Sequence, residues 1–268
     1  MAIISISRGS YSRGKEVAER LAERLGYDCV SRDILLKTCE EFAIPEIRLV
    51  KALHDAPSIL DRFNHGRERY ISYFRSAFLN YMVKDNIVYH GLSGHFFLQG
   101  VDHAIKVRII SNMDDRIKEE MKRENCSAEE ARYLLKKDDD ERRKWGLSLY
   151  GKDTWNCSLY DLVLHIDKMT VDDVVGILEG VTQQGRFNAT PESTAILETK
   201  ALLAAIHATI VDISPRAKVE IKDGIVSLSN LEGGLKNNDE TRRKTAARLV
   251  SAYDIKDVVF DKPAQAKK

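Results

Sequence analysis

The chain opens with an isoleucine-rich run, Ala2 to Ile6, that passes into Gly9-Ser10-Tyr11-Ser12-Arg13-Gly14-Lys15 and then into Val17, Ala18, Leu21, Ala22 and Leu25 at helical spacing. A short β-branched run ending in a Gly/Ser turn reads as a buried strand. The 3.6-residue spacing reads as an amphipathic helix, and Gly26 supplies the residue that commonly ends one. Strand, glycine loop and helix form the context in which GxxxxGK binds phosphate. Loop N–H groups and the positive helix end surround the oxygens while the lysine reaches the outer phosphates. Gly9, Ser10, Ser12, Arg13, Gly14 and Lys15 are therefore the expected phosphate-binding residues, with Lys15 the leading ligand. The competing reading is a βα turn whose glycines serve tight geometry and whose lysine is solvated. The position after the lysine ordinarily carries Ser or Thr to hold magnesium, but here it is Glu16. Either its carboxylate approaches the metal, directly or through water, or Ser10 or Ser12 supplies a hydroxyl instead.

Further strands are expected at Tyr27 to Val30, Asn86 to His90, Ala104 to Ile110 and Leu162 to Ile166, each an apolar run between polar or glycine residues. Between them the pattern is helical. A helical insertion, broken at Pro45, Pro57 and Gly66, fills Asp33 to Val83, and Ser127 with Glu130 and Thr170 with Asp173 look like capping boxes. Alternating strands and helices predict the α/β class, with a five-stranded parallel sheet covered on both faces and ligands at the strand C-terminal ends. The sequence divides into a first domain at 1–182, a turn-rich linker at 183–192, a small α-β-β-α-β module at 193–262 and a disordered tail at 263–268. Asp223-Gly224 between alternating runs marks a hairpin in that module.

Composition narrows the partners. Lys plus Arg total 42 against Asp plus Glu 41, so the net charge of +1 gives no global attraction to DNA, RNA or an anionic membrane. The four cysteines form no CxxC pair and the histidines no HExxH, so neither a structural metal nor a disulfide framework is expected. No leader-like or membrane-spanning run is visible, which leads to the expectation of a cytoplasmic protein. His90-Gly91-Leu92-Ser93-Gly94 suggests a hydrolase elbow, but GxSxG needs glycine at 95, where His95 stands.

The run ISISRGSYSRGKEVAERLAERLGYDCVSRDIL, followed by NIVYHGLSGHFF, VRIISNMDDRIKEEMKRENCSAEEA, DDDERRKW and SLYDLVLHID, resembles the cytidylate kinase-like family in order through about residue 180. The resemblance implies a nucleoside monophosphate kinase fold with a helical acceptor region and an arginine-bearing lid. It implies ATP with Mg2+ as cofactors and a CMP- or dCMP-like acceptor. Lys15, Asp139, Arg142 and Arg143 would be the catalytic residues, and Arg32, Asp33, Gly91 and Arg116 would face the acceptor. For Arg32 and Asp33, a helix N-cap with a solvated arginine remains the alternative, and for the lid arginines, a solvated helix face of mixed charge. Family members usually carry more glycine where this loop has Tyr11 and Arg13, and Gly-Arg where this chain has Gly91-Leu92. These departures keep open a catalytically degraded nucleotide sensor. The stretch VEIKDGIVSLSNLEG and the later IKDVVF are similar to the BON domain, a module linked with phospholipid or ligand binding. That similarity implies a C-terminal domain that binds a ligand, lipid or partner, with a regulatory or homo-oligomerising role.

Overall fold

The structure, a computed structural model, describes residues 2–9, 13–31, 64–92 and 94–261. β1 (Ile3–Arg8) runs through the middle of a five-stranded sheet. β3 (Ile87–His90) and then β2 (Asp28–Ser31) lie to one side, and β4 (Ala104–Ser111) and then β5 (Leu162–Ile166) to the other. Every pairing is parallel. A parallel sheet is buried on both faces, and β1 shows it: Ile3, Ile4 and Ile6 are fully buried.

α1 (Gly14–Leu25) and α6 (Val171–Gln183) cover one face, where Ile4, Ile6, Val107 and Ile109 meet Val17, Leu21, Val174 and Leu178. α1 stops because Gly26 turns left-handed (φ 67°) and its N–H bonds back to Ala22 and Glu23. On the other face lie α2 (Gly66–Met82), the single turn α3 (Gly94–Phe97) and Trp145 of α5 (Ala128–Tyr150). The side chain of Phe78 meets Tyr89 edge-on at 4.9 Å between ring centroids, inside a cluster that includes Phe74 and Phe97. α4 (Met113–Glu124) follows β4 and packs against α5 through Ile117, Ala131 and Leu135. The capping boxes at Ser127/Glu130 and Thr170/Asp173 both form, opening α5 and α6.

At the expected linker the chain leaves α6, and Thr190 caps α7 (Pro191–Ile210). This helix enters two cores. Leu197, Ala201 and Ala204 pack with α2 beneath the large sheet, whereas Ile206 and Ile210 belong to a separate cluster around a three-stranded sheet. That second sheet contains β6 (Lys218–Lys222), β7 (Ile225–Ser229) and β8 (Asp257–Phe260), with α8 (Asp239–Ala252) crossing between the last two. β6 and β7 form the antiparallel hairpin, turned by Asp223 and Gly224 at φ 52° and 81°, while β7 and β8 pair in parallel. Of the helical insertion, the described part begins at residue 64. Arg32, Asp33 and the terminal tail lie outside the described residues. Among the described residues no helix is long and apolar enough to cross a membrane.

Candidate nucleotide site

The carboxyl ends of the three central strands converge. Gly9 N–H donates to the Ile109 carbonyl at 3.4 Å, and Gly91 N–H donates to the Ile6 carbonyl at 3.2 Å. Gly9 and Gly91 are thus held beside the ends of the central strands, where the sheet switches from one flank to the other. Ser10, Tyr11 and Ser12 lie outside the described residues. Arg13 sits at the N-cap of α1 with φ 61°, a left-handed conformation that favours glycine, which explains why more glycine suits this loop. Gly14 has no room for a side chain: a Cβ would stand 2.8 Å from Cβ of Arg8. No side chain caps the helix, so its first N–H groups have no protein acceptor from a cap, the condition under which a helix start holds phosphate.

The charged residues of the loop are engaged along the helix. Lys15 is largely exposed, with Nζ 3.6 Å from Glu19. Glu16 is shared between Arg13 at 3.3 Å and Arg20 at 2.7 Å, and Arg20 continues to Asp172 on α6 at 3.1 Å. The carboxylate in the position of the usual magnesium hydroxyl is therefore directed to arginines of its own surface. Among the described residues no group of three or more His, Cys, Asp or Glu is arranged to hold a metal ion.

The lid and acceptor candidates fall into pairs. Arg116, 7% exposed, binds Asp139 at 2.8 Å, so an expected acceptor ligand and an expected catalytic residue hold each other between α4 and α5. Arg143 forks onto Asp153, with its Nε 3.1 Å from both carboxylate oxygens and one terminal nitrogen 2.6 Å from the second, and it lies over Trp155 at 4.9 Å. That guanidinium holds the Asp153 carboxyl below the usual carboxylate range. Arg142 is half-buried one residue before it on α5.

A polar cluster behind the loop was not among the expected site residues. Ser7 and Arg108 are register partners on β1 and β4, so both rise from the same face of the sheet. The Arg108 guanidinium donates to the Thr154 carbonyl at 2.8 Å and lies over the Tyr160 ring. The Tyr160 hydroxyl donates to the same carbonyl at 2.9 Å and stands 3.2 Å from the Ser7 hydroxyl. His95, fully buried on α3, packs on the Tyr160 ring at 4.7 Å with no hydrogen bond at either ring nitrogen. Burial, with Arg108 and Lys106 nearby, pushes its pKa down to about 3, so the imidazole is neutral. The available signal was an arginine and two serines interrupting apolar buried strands, but only the fold brings Tyr160 and His95 to them.

The model of the cytidylate kinase-like family matches residues 3–168. The chain belongs to the cytidylate kinase-like family. The matched stretch takes in the glycine loop, the β3 turn and α5, and ends just beyond β5. Among solved structures, the crystal structure of an uncharacterized protein from Eubacterium ventriosum is similar in fold at 18% identity and a TM-score of 0.53, over 69% of this chain and 99% of that one. Shikimate kinase from Bacteroides thetaiotaomicron aligns at 10% identity and a TM-score of 0.43, over 67% and 97% of the respective chains. Dephospho-CoA kinase from Campylobacter jejuni aligns at 16% identity and a TM-score of 0.37, over 68% and 97%. No curated protein matches the chain. The region after residue 168, including the three-stranded sheet, lies beyond the family match.

Proposed function

We propose that this member of the cytidylate kinase-like family is a nucleotide kinase that transfers the γ-phosphoryl group of ATP to a nucleoside monophosphate of the CMP or dCMP type. The observation that carries this reading is the uncapped start of α1 behind Gly14, within the family match and at the carboxyl ends of the central strands. A triphosphate fits there by the chemistry of the donors: backbone N–H groups, the helix dipole and Lys15. Magnesium, when bound with the nucleotide, supplies neutralising charge; Ser10 and Ser12 are the hydroxyls proposed for it, and Glu16 serves only by leaving its two arginines. Lys15 would neutralise the outer phosphates, and Arg142 and Arg143 would spread charge over the transferring group, with Asp139 fixing the lid through Arg116. Arg32, Asp33, Gly91 and Arg116 are proposed to face the acceptor. Positioning and electrostatics suffice for such a transfer, and no covalent intermediate is required.

A second reading, a nucleotide-binding sensor without turnover acting through its C-terminal module, is favoured by one set of contacts. Glu16, Arg116 and Arg143 already satisfy partners within the chain, and a phosphate must displace Asp139 or Asp153 to recruit either arginine. A coupled ADP-release assay across all nucleoside monophosphates with ATP and GTP, alongside calorimetry, separates the readings. Turnover that peaks on CMP or dCMP supports the kinase; binding without turnover supports the sensor. Lys15→Ala abolishes nucleotide binding under both, and unchanged affinity would remove the loop from the site.

A further inference from the structure

α2 and α7 lie against each other, and each turns one stripe toward a common hollow. Ser72, Arg75 and Leu79 recur at helical spacing on α2, as do Lys200, Leu203, Ala204 and His207 on α7. The hollow measures about 610 Å³ and is also lined by Phe96 and Phe97 of α3 and by residues 217–220, which include the start of β6. Its volume is in the range of small-molecule sites. Among the described residues, none of those proposed for the nucleotide site lines it.

Among the described residues the charges inside do not balance. Arg75 is largely buried; its Nε is out of contact with water and makes no hydrogen bond, and among the described residues its side chain has no ion pair. Lys200 faces it from α7 without an ion pair either, and burial together with the Arg75 charge pulls the lysine pKa down. His207 adds no third charge, because burial pushes its pKa to about 4; its Nδ1 instead lies 2.6 Å from the Ser72 hydroxyl, tying the two helices together. The rim carboxylates do not compensate: Glu68 is held by Arg216 at 3.0 Å, and Glu220 stands exposed on β6 beside Lys218. Two like charges kept in a partly dry, mainly apolar space are costly unless an anion joins them.

We propose that this hollow binds a small amphipathic anion, its oxyanion head between Arg75 and Lys200 and its apolar body over Leu79, Phe97 and Leu203. The inference is independent of phosphoryl transfer. It is tested on the full chain by calorimetry and thermal unfolding with octyl phosphate and octanoate below their micelle concentrations, with inorganic phosphate, octanol, ATP and CMP as counter-probes. At least one amphiphile is expected to bind with one-to-one stoichiometry and raise the melting temperature, while phosphate and octanol bind at least about tenfold more weakly. Arg75→Met and Lys200→Met, which keep the volume, each weaken that binding about tenfold or more. Both variants are also expected to melt no lower than the parent without ligand, since each removes an unpaired charge; an arginine with a structural role would lower it. Failure of both amphiphiles to bind, equal binding by both variants, equal binding of phosphate or octanol, or displacement by ATP or CMP would overturn the proposal. Should one variant not fold, the other carries the same comparison.

Discussion

A β-carbon built on Gly94 would lie 2.6 Å from the Tyr89 ring and 2.8 Å from the Ser5 hydroxyl, closer than packed atoms tolerate. The ring cannot swing aside, because Tyr89 is fully buried against Phe78 and its hydroxyl donates to the Leu92 carbonyl at 3.0 Å. Gly94→Ala is therefore expected to cost about 1–3 kcal/mol, read as a lower midpoint in urea unfolding, in the manner of overpacked cores. A parent-like midpoint would mean that α3 can slide. At this scale the sequence is half legible. Gly14 stands in a loop motif whose glycines announce tight geometry, whereas nothing in the sequence marks Gly94, and for neither does anything local tell which atoms it approaches. The partners of Arg116 and Arg143 were equally hidden, since an arginine beside the run Asp138 to Glu141 reads as a solvated face until α4 and residue 153 come into reach.

Among the elements, α7 does the most unexpected work. Leu197 is 2% exposed and stands in the core beneath the large sheet, although its helix leads into the other sheet. Leu197→Ala is expected to cost about 2–5 kcal/mol through lost burial and a residual cavity. The measurement is the melting of the five-stranded body, followed by the near-ultraviolet signal of its buried aromatics; a loss confined to the C-terminal module would contradict the packing. Strands and helix caps were legible because they are written locally, as β-branched runs and as Ser127/Glu130 or Thr170/Asp173. The double duty of α7 was not. Helical periodicity records that a face is apolar and is silent about which neighbour covers it, so Leu197 and Ile206 look alike until the chain is folded.

Across the whole molecule, three of the described histidines resist protonation when folded, since burial lowers the pKa of His95, His103 and His207. His95 takes up its proton only near about 3 and His207 near about 4, against 6.5 for the free side chain. Between those values the unfolded chain binds more protons, so acid favours unfolding. At pH 5 the expected loss is about 2 kcal/mol for each histidine, absent near pH 7. Melting profiles between pH 7.5 and pH 5 check this: His95→Phe and His207→Gln should each flatten the slope, and an unchanged slope would assign the acid sensitivity elsewhere. Finally, the 20-residue rod from Pro191 to Ile210 is roughly 30 Å long and is gripped by a different body at each end. Such a rod transmits torque where a loose tether would let it dissipate, so the small sheet is geared to the large one, and neither can be exchanged or excised without stripping teeth from the other.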